Sequence, residues 1–220
     1  MLDVILPIAT SLTLAASTPS HCTRQAPILN FKTKIEKTEY IKGKTSEEIT
    51  RAYALGNPDL GDEAVVRGTA SPQINISYSV KPKIREIADG HLCGYAQYVD
   101  ILLTASPIIH LASEYQFGSC EYKEVINHEN EHVEITKDLI KEYKRTVKRD
   151  LTQRIREVSG HKPGPANSDN EVEQYIRQAS AIVIGQVEGE LRREHAIRQS
   201  KIDTPEEYAK IQSRCISWNR

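Results

Sequence analysis

Two histidines four residues apart, with a glutamate directly after the first, stand in the stretch His128-Glu129-Asn130-Glu131-His132. Residues four apart on an α-helix project from the same side, one turn apart, so both imidazoles can reach one ion. Neutral imidazole is a common zinc ligand, and zinc lowers the pKa of a bound water to about 7. Glu129 projects beside the histidines and could accept that water's proton. The stretch therefore predicts the HExxH site of a zinc metallopeptidase.

The flanking apolar residues indicate that this stretch is a helix whose motif faces inward. Val125, Leu139 and Tyr143 fall on the same side of a helical wheel as Glu129 and His132. Charged groups on a buried stripe are costly unless they are paired or bind a metal. The alternative is an exposed helix on which these histidines and glutamates are solvated.

A catalytic zinc ion needs a third protein ligand and one open position. On the second long helical segment, His195 shares a face with apolar Val187 and Leu191, so we expect it to point at the core. Glu188 lies on nearly the same face and is the alternative. We predict a zinc site of His128, His132 and His195.

An oxyanion formed during peptide hydrolysis would need a second electrophile besides the metal. Tyr208, Tyr175 and His110 are the candidates, and the sequence does not choose between them.

The pattern of the chain changes from strands to helices near its middle. Period-two and branched residues predict extended structure over 28–42 and strands within 65–84 and 94–111. A capping box at Thr45 predicts one short helix between them. A strand over 95–105 could lie beside the cleft and pair with a peptide.

The C-terminal half reads as helices. One helix is predicted from about residue 122 to 158, a long one after the capping box at Ser168, and a short one after Thr204-Pro205. We expect an α+β fold: a mostly antiparallel N-terminal sheet with one short helix, then long C-terminal helices that carry the motif, in one zincin-like domain over 28–215.

Composition and the N-terminus bear on location and partners. The chain has 220 residues, 39% of them hydrophobic, and a net charge of −1, which argues against a nucleic-acid partner. An apolar stretch followed by small residues predicts a signal peptide over residues 1–17. It is too short to span a bilayer, so we expect a periplasmic or secreted protein without stable membrane insertion.

Four cysteines, Cys22, Cys93, Cys120 and Cys215, would form two disulfides in an exported chain. None is spaced as CxxC, so a cysteine zinc site is not expected. Of the three possible pairings we expect Cys93–Cys120 with Cys22–Cys215.

Several stretches resemble one bacterial family, the domain of unknown function 922, which is described as predicted secreted zinc-dependent proteases. They are TEYIKGKTSEEI, ASPQINISYSV, CGYAQYVDILLTASP, VINHENEHVEI and QSKIDTPEEY. In the last stretch Ile202-Asp203 stand where the family has an aromatic–Asp pair, and the family's following His-Gly is missing. The resemblance implies export, one zinc ion and peptidase-like chemistry, without naming a substrate.

Together these patterns predict a secreted or periplasmic zinc metallopeptidase that acts on a peptide or protein, with Glu129 as general base. The alternative is a non-catalytic envelope or interaction protein that a metal ion could stabilise.

Overall fold

The computed structural model describes residues 22–55, 65–87, 91–159 and 168–219. The signal peptide predicted over residues 1–17 lies outside these ranges. In chain order the described elements are β1 (Ile28–Ile35), β2 (Glu39–Lys42), α1 (Ser46–Ala54), β3 (Gly68–Glu86), β4 (Leu92–Leu111), α2 (Cys120–Val158), α3 (Asp169–Gln199), α4 (Pro205–Ser213) and a 3-10 helix (Ile216–Asn219).

Strand β4 is the centre of the sheet. β3 pairs antiparallel with it, from Gly68 opposite Leu111 to Glu86 opposite Leu92. On the other edge of β4, β1 and β2 pair parallel, one after the other. The sheet is therefore mixed, although the sequence predicted a mostly antiparallel one. Parallel pairing needs a crossover connection, which α1 and β3 supply here between β2 and β4.

The alternation of β4 shows which face of the sheet carries the core. Every second residue from Val99 to Leu111 is buried, and the residues between them are exposed or half-buried. Successive strand side chains point to opposite faces, so one face is dry and the other is wet. The register puts Leu29 beside Val99 and Ile74 beside Ala105, which extends the dry face across the sheet.

Helices α2 and α3 lie antiparallel against the dry face. The Gln199 amide nitrogen donates to the His132 carbonyl oxygen at 3.0 Å, and further along α2 the Tyr143 hydroxyl donates to the Val187 carbonyl oxygen, earlier on α3, at 2.7 Å. The two helices contribute Leu139, Ile140, Leu151, Ile155, Ile176, Ile184 and Leu191 to the main core. Full burial of such a side chain contributes about 1.5–3 kcal/mol, so the helix pair is held firmly against the sheet.

Helices segregated to one face of a sheet make the α+β arrangement that the sequence predicted. The capping residues were also predicted correctly: Ser168 accepts from the Glu171 amide and Thr204 from the Glu207 amide. Within the described ranges, none of the helices has the length and apolarity needed to cross a bilayer.

Two disulfides, Cys22–Cys93 and Cys120–Cys215, tie together the ends of elements. The expected pairing, Cys93–Cys120 with Cys22–Cys215, is therefore wrong. Cys93 lies at the start of β4 and Cys120 after its end, so roughly 60 Å of extended chain separates them. Two disulfides fit an oxidising environment, extracellular or periplasmic.

Candidate metal centre

Helix α2 buries a polar stripe at the predicted motif. His128, Glu129 and His132 are 7%, 5% and 7% exposed, and Thr136, one turn further on, is fully buried. This is not the solvated helix considered as the alternative. Buried polar groups are costly unless they find partners, so the contacts of this stripe decide what it does.

Three donor atoms from two segments of the chain converge at this stripe. His128 Nε2 and His132 Nε2 lie 3.3 Å apart, and Asp203 Oδ1 lies 3.3 Å from the first and 3.0 Å from the second. Zinc ligands at about 2.0–2.1 Å in tetrahedral directions stand about 3.3–3.4 Å from one another. The triangle therefore has the size that a first-row metal ion requires.

Asp203 lies in the turn between α3 and α4, directly before the helix cap Thr204. The Tyr208 hydroxyl donates to its Oδ1 at 2.7 Å, which fixes the carboxylate from the side of α4. Burial alone would raise the pKa of Asp203, but hydrogen bonds from the two histidines and Tyr208 hold that pKa well below its usual range. The group thus offers an anionic oxygen beside two imidazoles.

Gln199, the last residue of α3, fixes the tautomer of His132. Its Oε1 contacts His132 Nδ1, and its amide nitrogen donates to the His132 carbonyl oxygen at 3.0 Å. A carbonyl oxygen can only accept, so Nδ1 carries a proton. Nε2 carries the second proton of the charged imidazole when it donates to Asp203, and it offers its lone pair when His132 is neutral. Burial would lower the pKa of His132, but Asp203 and Gln199 outweigh it and raise that pKa.

His195 lies beside the donor triangle and not within it. Its Nε2 is 2.8 Å from the Gln199 amide nitrogen and 2.9 Å from Thr136 Oγ1. An amide nitrogen can only donate, so the His195 lone pair is directed at Gln199. Burial is the main cause that lowers the pKa of His195 and favours its neutral form. The third member of the donor group is Asp203, whereas the sequence predicted His195.

Glu188, the alternative third ligand, faces its own helix. Its carboxylate accepts from Arg192 Nε at 3.0 Å, one turn along α3. Seven residues, about two helical turns, separate it from His195.

Glu129 lies against the first residues of β3. Its carboxylate accepts from the backbone N–H of Ala70, and burial raises its pKa to about 7 although His132 and His128 oppose this shift. A Cβ atom at Gly68 would lie 2.6 Å from Val125 Cγ1 and 3.0 Å from Glu129 Oε1. Only glycine lets the strand come so close to this carboxyl.

The donor triangle and Glu129 open into one cleft of about 530 Å³. Gly68, Thr69, Ala70 and Pro72 of β3 line one side of it. Tyr53 of α1 and the C-terminal residues Tyr208, Ile211, Gln212 and Trp218 line the others. The cleft is large enough for a segment of a peptide.

The cleft also bears on the predicted oxyanion candidates and on the strand that was predicted to pair with a peptide. Of the oxyanion candidates, Tyr208 lines the cleft, whereas Tyr175 packs against the main core. The strand over 95–105 was a wrong choice for peptide pairing, because β1 and β3 occupy its two edges. The strand edge at the cleft belongs to β3.

Asp203 and Gln199 were missed as site residues. His195 and Gln199 lie one turn apart on α3, and Asp203 follows in the turn after the helix ends.

Comparisons with protein-family models, with curated proteins and with solved structures found no match for the chain.

Proposed function

We propose that the protein is an exported zinc-dependent peptidase in which His128, His132 and Asp203 hold the metal ion and Glu129 is the general base. The observation that carries the proposal is the triangle of donor atoms beside a buried carboxyl in one cleft. Peptide hydrolysis by zinc needs these two parts together, three protein ligands with an open side and a nearby proton acceptor.

The donor set fits zinc chemically. Two imidazole nitrogens and one carboxylate oxygen are ordinary zinc ligands, and the side of the triangle toward the cleft leaves room for a further ligand. The same set also occurs at non-haem Fe(II) centres. Glu129, a buried proton acceptor on the same wall, favours hydrolysis and therefore zinc.

A bound zinc ion would acidify water and polarise the substrate carbonyl. Glu129 accepts a proton from the attacking water at its carboxylate and returns it to the leaving amine nitrogen. Tyr208 orients Asp203 by donating its one hydroxyl proton to Oδ1, so that proton is not available to a substrate oxyanion.

The substrate would lie along the outer edge of β3. Alternate residues of that strand turn their backbone groups away from β4: Arg192 donates to the Ile74 carbonyl oxygen at 2.9 Å, and Arg177 donates to that of Val80. By the same alternation the backbone groups of Gly68 and the carbonyl oxygen of Ala70 face the cleft, while the Ala70 N–H donates to Glu129. An extended peptide can pair with such an edge.

The test combines metal content with activity on an unstructured protein such as casein. We expect one zinc ion per chain, cleavage that a chelator stops, and an activity at least about 100-fold lower in Glu129→Gln with its zinc retained. Glu131→Gln, two residues away and exposed, is the matched control and should stay active. Equal activity in Glu129→Gln, or no zinc after supplementation, would overturn the proposal. Zinc without cleavage would support the non-catalytic, metal-stabilised alternative.

A further inference from the structure

Arg67 is the single arginine or lysine among the described residues that line the cleft. Its guanidinium carbon lies 5.4 Å from the ring centroid of Trp218. The Trp218 ring is in turn held edge-on by Tyr115, with centroids 6.3 Å apart. A guanidinium stacked on an indole is oriented in advance, so less entropy is lost when it binds a ligand.

Six of the twelve other arginines that the structure describes are held in ion pairs. Arg51, Arg154, Arg177, Arg192, Arg198 and Arg214 each have a carboxylate partner. In the part of the chain that the structure describes, Arg67 has none within ion-pair distance. Apolar Val66 and Trp218 line the cleft with it. A charge in such surroundings binds an opposite charge more strongly than one in water does.

The position of Arg67 links it to the reacting centre. It directly precedes Gly68, whose backbone packs against Glu129, and consecutive Cα atoms are about 3.8 Å apart. The guanidinium also lines the same cleft as Glu129 and the donor triangle, so a group that it holds would belong to a substrate bound in that cleft.

We propose that Arg67, stacked on Trp218, is a carboxylate-binding subsite that makes the enzyme prefer peptides with an acidic group in the segment that binds in the cleft. A planar guanidinium matches a carboxylate with two parallel hydrogen bonds. The acidic group is either an Asp or Glu side chain or the free C-terminus of the substrate. This inference rests on the proposed peptidase function.

The test measures binding separately from cleavage. Zinc-loaded Glu129→Gln is titrated calorimetrically with pairs of peptides that differ only by Glu against Gln, each with a free and with an amidated C-terminus. Trp218 is the only tryptophan of the chain, so its fluorescence shows whether the peptide reaches this subsite. We expect the acidic peptides to bind about tenfold more tightly, as a charge-assisted hydrogen bond allows.

Variants of Arg67 show whether its charge recognises the peptide carboxylate or whether its side chain only packs in the cleft. Arg67→Gln in the same background should bind both members of each pair equally, and Arg67→Lys should keep part of the preference. Arg149→Gln removes one exposed charge about 25 Å along α2 from His132 and should change nothing. Preference for Glu identifies a side-chain carboxylate, and preference that amidation abolishes identifies the C-terminus.

The outcomes distinguish the two proposals. Equal binding of all the peptides, or a preference that survives Arg67→Gln, would overturn the subsite even if wild type cleaves peptides with zinc. An Arg67-dependent preference in a protein whose wild type never cleaves would support the subsite and overturn only the peptidase.

Discussion

The imidazole of His132 donates from Nδ1 to Oε1 of Gln199, the last residue of α3. This contact joins the middle of α2 to the end of α3, and it leaves His132 Nε2 free to face Asp203 at 3.0 Å. The partner of a metal-binding imidazole fixes both its tautomer and its orientation. Gln199 should therefore control metal affinity without being a ligand.

Replacement of Gln199 by Leu tests this control. The variant keeps all three donors but removes the acceptor for His132 Nδ1, so we expect zinc affinity to fall about 10–100-fold. Gln186→Leu, an exposed change on the same helix, should leave the affinity unchanged. Competition with a chromophoric chelator measures both. Equal affinities of Gln199→Leu and wild type would show that Gln199 does not orient the ligand.

The buried carboxyl of Glu129 should make the metal-free protein less stable as the pH rises. Its folded pKa of about 7 lies above its usual value of 4.5. The contribution to stability is thus complete below pH 4.5 and is lost as the pH rises through 7. A pKa shift of this size corresponds to about 3 kcal/mol in the free energy of unfolding. Glu129→Gln should recover this free energy at pH 8 but not at pH 4.

Urea unfolding of the chelated proteins at pH 4 and pH 8 measures this difference. The exposed Glu131→Gln variant should follow wild type at both pH values. A stability gain of Glu129→Gln that is the same at pH 4 and pH 8 would show that ionisation of Glu129 is not its cause.

The Cys120–Cys215 disulfide should support the metal site, whereas Cys22–Cys93 should not. The chain from α3 to Cys215 carries Asp203 and Tyr208, and the disulfide fixes its far end to the first residue of α2. We expect Cys120→Ser/Cys215→Ser to lose about 2–4 kcal/mol of stability and about tenfold or more in zinc affinity.

The matched control is Cys22→Ser/Cys93→Ser, which opens a loop of similar length at the other end of β4. It should lose comparable stability and keep the zinc affinity of wild type while folded. Denaturant unfolding and zinc titration measure the two quantities. Equal zinc affinities of the two double variants would contradict the supporting role.

Local patterns predicted those parts of the fold that are locally determined. The capping box at Thr45, the N-cap at Ser168, and the buried stripe through His128 and His132 are dictated by spacing along one segment. The third donor depends on how α3 ends against α2. Four-residue periodicity indicated that His195 faces α2, but only the packed helix pair brings the turn at Asp203 onto the histidines.

Strand directions and disulfides were predicted less well for the same reason. The parallel pairing of β1 with β4 joins residues about 70 apart, and nothing in β1 itself indicates its direction. Cys93 and Cys120 are near in sequence, yet nearly all of the 20-residue strand β4 lies between them. Such long-range relations follow from tertiary packing and not from local propensity.

The most direct test of the metal centre is anomalous diffraction at the zinc edge from crystals of the zinc-loaded protein. We predict one peak bonded to His128 Nε2, His132 Nε2 and Asp203 Oδ1 at about 2.0–2.2 Å, with His195 Nε2 still on Gln199. A peak bonded to His195 in place of Asp203, or zinc bound away from the two histidines of α2, would contradict the account.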